Sequence, residues 1–148
     1  MNRDLSLLLV EDNDDDAELT IKAFEDARIA NPIVRVADGI EALDYLFARG
    51  KYAGRNAADL PAVILLDLNL PRMTGLDLLK VIRSDARVRH VPVVVLTSSN
   101  EASDRRAAYE QFANSYVRKP VDYDQFVAAS HDLGLYWLVL NQPPPPAQ

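Results

Sequence analysis

The chain has 148 residues, 49% of them hydrophobic, with no cysteine and 22 acidic against 16 basic side chains, a formal net charge of −6. Those figures describe a globular chain long enough to bury one core, and they exclude a disulfide framework, a thiolate metal site and a cysteine nucleophile. The acidic balance argues against gripping nucleic acid through its phosphates, which needs clustered Lys and Arg, and the Arg87-Val88-Arg89-His90 cluster is too short to reverse that. No signal peptide is legible after Asn2-Arg3-Asp4, and no apolar run approaches the ~18 residues of a membrane span. The expectation is a soluble, cytoplasmic, single-domain protein over residues 1–141 with a proline-rich tail over 142–148, disordered or extended.

Residues 5–10 (LSLLLV) read as a short buried strand. It ends in Glu11-Asp12-Asn13-Asp14-Asp15-Asp16, after which Ala17, Ile21, Phe24 and Arg28 fall at helical spacing. Asn13 or Asp14 makes a good N-cap, and acids in a first turn suit the helix dipole. That accounts for the later acids and leaves Glu11 and Asp12 unexplained at the strand end. A calcium loop of the EF-hand type is excluded, since Ala17 stands where its glycine is needed and Ala23 where its bidentate Glu belongs.

Residues 33–37 (IVRVA) alternate like a strand nearer a sheet edge. Asp38-Gly39 turns into a helix with Ala42, Leu43, Leu46 and Phe47 on one face. Residues 50–60 lack periodicity and predict a long surface loop, a feature that carries a partner contact or is simply disordered. Val63-Ile64-Leu65-Leu66 reads as a strand buried on both faces, the pattern of a central parallel strand. It ends at Asp67, followed by Leu68-Asn69-Leu70-Pro71. In open α/β sheets, ligands and chemistry sit beyond the carboxyl ends of the strands, although an acid there also makes a turn or a helix cap.

Gly75 precedes a helix with Leu76, Leu79, Val81 and Ile82 arranged for burial. Residues 92–96 (PVVVL) form another apolar strand, ending on Thr97, Ser98, Ser99 and Asn100. A polar helix over about 102–111 follows, then a short strand at Ser115–Arg118 ending at Lys119-Pro120. A last helix starts near Asp122 with Phe126, Ala129, Leu133, Trp137 and Leu140 on one stripe. Strands alternating with helices, five of each, predict a doubly wound α/β fold with a parallel sheet.

Set side by side, the strand ends deliver Glu11, Asp12, Asp67, Thr97 and Lys119 to one edge. Carboxylates that close repel by about 4 kcal/mol per pair at 4 Å and an effective dielectric of ~20, so they stay ionised together only around a cation. All-oxygen ligation suits a hard ion such as Mg²⁺. A metal, an ammonium and a hydroxyl around one carboxylate can stabilise a transferring phosphoryl group, with Asp67 as nucleophile. An ordinary Lys119–Asp67 salt bridge is the competing explanation.

The ordered motifs ED (11–12), DLNLP (67–71), VLTSS (95–99) and YVRKP (116–120) resemble the receiver domain of bacterial response regulators over about residues 5–138. The resemblance implies the flavodoxin-like receiver fold with strand order 2-1-3-4-5. It implies Asp67 as phosphoacceptor, Mg²⁺ bound by Asp12, Asp67, the Asn69 carbonyl and, through water, Glu11, and Lys119 on the acyl phosphate with a cis bond to Pro120. Thr97 would be the switch hydroxyl and Tyr116 the aromatic that moves with it. The partner would be a sensor histidine kinase in a two-component phosphorelay. The 50–60 loop, the LLDLNLPR and VVVLTSS stretches and a Trp-bearing final helix look more narrowly like stand-alone receivers paired with phytochrome-type kinases. A chemotaxis-type or phosphorelay-intermediate receiver for another kinase is the alternative.

With no effector expected after Gln142, output would pass through the receiver's own surface, biased by Thr97 and Tyr116. Residues 135–140 (LYWLVL) are apolar nearly all round, which predicts a homodimer contact through Leu135, Leu138 and Val139. His90 and His131 read as solvated surface residues rather than phosphotransfer histidines. Of the rival classes, an aspartate-nucleophile phosphatase wants a second carboxylate where Asn69 stands, and a nucleotide-binding module wants a glycine-rich loop that does not follow Val10.

Overall fold

The strands β1 (Leu7–Val10), β2 (Ile33–Val36), β3 (Val63–Leu66), β4 (Val93–Thr97) and β5 (Ser115–Arg118) form one parallel sheet in the order β2-β1-β3-β4-β5. This computed structural model describes residues 5–98, 101–120 and 122–145; Ser99 and Asn100 of the fourth strand end, and residues 146–148 of the tail, lie outside the described residues. The order is the one the resemblance implied. Every residue of β1, β3 and β4 is buried, whereas β2 and β5 are half-open. That gradient is why the three central strands are aliphatic but for the closing Thr97, and the two edge strands admit arginine.

Helices α1 (Asp14–Asp26) and α5 (Tyr123–Leu135) cover one face, packed on Leu7, Leu9, Leu65 and Leu96 through Phe24 and Phe126. Helices α2 (Gly39–Leu46), α3 (Gly75–Ser84) and α4 (Ala102–Glu110) cover the other, on Leu8, Val10, Ile64, Leu66 and Val95. Four helices start on a side-chain cap: Asn13, Asp38, Thr74 in a reciprocal capping box with Asp77, and Asp122. Each such cap contributes about 1 kcal/mol and fixes where the chain leaves the strand ends.

Several expectations need correction. Arg28 lies beyond α1 with φ 63°, so it caps the turn rather than continuing the stripe. In α3 the buried residues are Gly75, Leu78, Leu79 and Ile82, an i, i+3, i+4, i+7 stripe, with Leu76 partly buried beside it and Val81 facing solvent. Residues 50–60 hold a 3₁₀ turn (Gly50–Tyr52) whose Tyr52 ring meets Tyr45 edge-on at 5.1 Å, and the Arg55 guanidinium stacks on Tyr45 at 3.7 Å. The loop is therefore anchored on α2. The chain beyond α5 widens into a π-helical turn, Tyr136–Leu140, closed by the Asn141 N–H to the Tyr136 carbonyl at 2.6 Å. The wider turn moves Leu140 off the buried stripe to 58% exposure, and Val139 stands at 65%. Leu138, expected at a dimer contact, is also partly packed on the α1/α5 core. No cis peptide occurs among the described residues, so Lys119–Pro120 is trans, the form X–Pro bonds favour by about 0.5–1 kcal/mol.

Candidate functional site

The sheet itself builds the site. Each polar strand end continues the ladder by one backbone bond: Glu11 N–H to Val36 O at 3.0 Å, Asp67 N–H to Val10 O at 3.2 Å, and Lys119 N–H to Thr97 O at 2.8 Å. The three side chains thus inherit the rigidity of the strands that carry them, which a loop could not supply. Glu11, Asp67 and Thr97 are buried, Lys119 is half-buried, and Asp12 and Asn69 are exposed beside them.

Asp67 is held asymmetrically. Its Oδ1 accepts from the Asn69 N–H at 3.0 Å and from Thr97 Oγ1 at 3.2 Å. Its Oδ2 lies 3.6 Å from the Lys119 ammonium, and the Glu11 carboxyl stands beside Asp67 as well. Lys119 is engaged more closely with Glu11, Nζ to Oε1 at 2.7 Å, and Glu11 Oε2 accepts weakly from the Asn13 N–H at 3.3 Å. The Lys119–Asp67 salt bridge weighed above as the competing explanation is present but shared with Glu11, which takes the shorter bond.

Burial, with Asp67 alongside, pushes the Glu11 carboxyl up to about 7 against the pull of Lys119. Burial opposes the charge on Lys119 as well, but the hydrogen bond and charge of Glu11, then the charge of Asp67, raise its pKa above the ordinary value. One ammonium thus serves two buried carboxyls, with Asp12 a third acid next in the chain. The group is short of positive charge.

A glycine shapes the other wall. A Cβ on Gly75 would meet the Asp67 carbonyl oxygen and Leu68 Cα, and the Gly75 N–H donates to Leu68 O at 3.0 Å. Only glycine lets the start of α3 close on the Asp67 turn. Sequence reading passed over this; the signal was a glycine at a helix start eight positions after the key acid. Arg35 was missed too: its guanidinium reaches the Glu11 carbonyl and Asp14, and a lone cation in an aliphatic strand beside an acid run was the clue. Tyr116, on β5, packs partly buried against the α2–α4 core.

The donor set is entirely oxygen, which fits a hard divalent cation. Among the described residues no three His, Asp or Glu side chains are gathered into a ready-made cage. The charge deficit around Glu11 and Asp67 is what such an ion would fill.

The chain matches the family model of the response regulator receiver domain over residues 7–131. It is 40% identical over 141 residues to the probable methanogenesis regulatory protein FilR2 of Methanothrix harundinacea, covering 95% of this chain and 88% of that protein. Its structure is similar to that of the phosphorylated cyanobacterial phytochrome response regulator RcpA (TM-score 0.87, 34% identity, 97% of this chain and 100% of that one). It is also similar to the bacteriophytochrome response regulator RtBRR (TM-score 0.76, 50% identity, 95% and 84%). Receiver domains bind a divalent metal ion, and the oxygen donors here suit one. No helix among the described residues is long and apolar enough to cross a membrane. A match spanning most of the chain, on the predicted strand order and with these groups at the strand ends, places the protein in the response regulator receiver domain family.

Proposed function

We propose that the protein is a cytoplasmic, single-domain response regulator that takes a phosphoryl group from a sensor histidine kinase onto Asp67, and that Mg²⁺ is its metal. The observation that carries this reading is the asymmetry of Asp67: two donors hold Oδ1, while Oδ2 lies 3.6 Å from the Lys119 ammonium. Oδ2 would attack phosphorus; the P–N bond to the kinase histidine breaks, and an acyl phosphate forms while the imidazole leaves and takes a proton. Lys119 Nζ, moving from Glu11, would pair with the new phosphoryl oxygens. Asp12, Asp67 and the Asn69 carbonyl would hold the divalent ion, with Glu11 reached through water. Bound there, the ion supplies charge stabilisation to the transferring group.

Thr97 would then turn its hydroxyl from Asp67 Oδ1 toward the phosphoryl group, and Tyr116 would follow as the switch aromatic. Phosphorylation can shift that equilibrium only by its differential interaction with the two states. The chain catalyses no turnover beyond its own phosphorylation and dephosphorylation in this reading, and residues 142–148 serve as a tail outside the receiver.

Incubation with Mg²⁺ and acetyl phosphate, followed by intact-mass analysis, tests the assignment. Wild type should gain one labile phosphoryl that Asp67→Asn lacks. Turnover of donor with no adduct would identify an aspartate-nucleophile phosphatase instead. The likeness to RcpA and RtBRR supports a phytochrome-type kinase as donor; failure of such a kinase to label Asp67, with acetyl phosphate still active, would assign the receiver to another kinase.

The end of the chain supports a homodimer as the output surface. Leu135, Tyr136, Val139 and Leu140 are all at least 40% exposed, and neighbouring exposed apolar side chains are what an interaction site needs. Leu138 belongs partly to the core, so Val139→Asp is the cleaner test. It should halve the molar mass seen by light scattering, and an unchanged mass would exclude the contact.

A further inference from the structure

We propose that Arg35 is a positioning residue for the divalent cation, a clamp that fixes the chain on both sides of Asp12. The proposal rests on the phosphoacceptor reading above. Arg35 sits on β2 opposite Leu9 of β1, in a strand whose other residues are Ile33, Val34 and Val36. Its Nε donates to the Glu11 carbonyl at 2.8 Å and its Nη1 to Asp14 Oδ1 at 2.8 Å. Glu11 and Asp14 flank Asp12 and Asn13, the turn by which the chain leaves the sheet. A planar guanidinium with two bonds sets both distance and angle, so the turn is held in one conformation before any ion arrives.

Two features separate this from an incidental surface pair. Asp14 is 84% exposed on its side chain, and an ion pair that open is worth little alone; the bond to a backbone carbonyl is what restrains the turn. The remaining nitrogen, Nη2, is shielded from solvent with no acceptor among the described residues. Leaving that donor unmatched is costly, which indicates that the guanidinium is oriented for the Glu11 and Asp14 bonds.

Charge and geometry predict opposite signs, so the two roles separate. Removing a positive charge beside an acidic site should tighten cation binding if Arg35 acts only through its field. Loosening the Glu11–Asp14 turn should weaken binding, because ligand positions must then be ordered by the ion itself. The experiment is calorimetric titration of the full chain with Mn²⁺ alone, in wild type, Arg35→Gln and Arg35→Lys. We expect the dissociation constant to rise about tenfold in Arg35→Gln, and by less in Arg35→Lys, which keeps the charge and one donor.

The second readout is phosphorylation by acetyl phosphate as a function of Mg²⁺. The half-saturating Mg²⁺ concentration should rise in parallel, while the rate at saturating Mg²⁺ stays at the wild-type value. A general loss of structure would lower that limiting rate instead, and would overturn the assignment. Binding in Arg35→Gln as tight as wild type, or tighter, would overturn it with phosphorylation of Asp67 intact. Absence of divalent binding in the wild type would remove the phosphoacceptor reading itself and this clamp with it.

Discussion

Glu11 with Lys119 and Glu41 with Lys51 are both Glu–Lys pairs, closed at 2.7 and 2.6 Å, yet Glu11 is pushed up to about 7 while Glu41 is held at about 2. Burial raises both carboxyls. At Glu41 it is outweighed by three donors: the Lys51 ammonium, the Ala37 N–H at 2.9 Å and the Tyr52 hydroxyl at 2.7 Å. At Glu11 the one strong donor is Lys119, and Asp67 stands beside it as a second negative charge. An ion pair is thus a closed unit in one place and an unfinished one in the other. The anchor of the 50–60 loop is electrostatically complete, whereas the strand-end site has a charge imbalance that a cation would offset.

Removing the lysine from each pair should expose that difference most strongly. Lys119→Met leaves a buried carboxylate without its partner, which costs about 3 kcal/mol at pH 8 in chemical denaturation. Glu11's folded pKa already lies above its ordinary 4.5, so its ionised form opposes folding and that opposition grows as pH rises through about 7. The variant's deficit should therefore shrink toward pH 5. Lys51 is exposed, and Lys51→Met should leave the midpoint close to wild type. Equal losses in the two variants would erase the contrast.

A divalent cation should stabilise one end and not the other. At a free Mg²⁺ concentration of 100 times its dissociation constant the gain is about 2.7 kcal/mol. Glu41→Gln should keep that gain, and Asp67→Ala should lose it, in thermal unfolding with and without chelator. A gain of the same size in Asp67→Ala would place the ion elsewhere.

Much of this architecture was legible because three strands are buried on both faces and say so in unbroken aliphatic runs. The polar residue closing each run marks the site, since the ladder fixes where a strand end points. What the pattern could not carry were contacts made across the fold. Lys119 divides itself between Glu11 and Asp67, a matter of ångströms rather than of order along the chain. Gly75 fits against the Asp67 backbone, a close approach that depends on how the turn between them folds. Residues 50–60 look structureless because their order comes from Tyr45, Glu41 and Tyr52 rather than from any period. The π turn after α5 has no composition of its own, and it overturned the expected stripe at Leu140.

The smallest effects belong to the closed pair, and they test why it is closed. Glu41's folded pKa is below its ordinary 4.5, so its contribution is present above about pH 4.5 and is lost as pH falls toward 2. Glu41→Gln should cost about 1 kcal/mol at neutral pH, the figure left after solvent screening of a partly open group, and should flatten the acid limb between those values. Tyr52→Phe should cost less, about 0.5 kcal/mol. It deletes the hydroxyl donor while leaving the ring edge-on to Tyr45, so the loop stays anchored and only the carboxylate loses support. The acid limb should then begin at lower stability and end nearer pH 3 as the Glu41 pKa moves back toward its ordinary value. If Tyr52→Phe instead costs as much as Tyr52→Ala, the ring and not the charge closes this end. The two Glu–Lys pairs would then differ in packing rather than in the number of donors around each carboxylate.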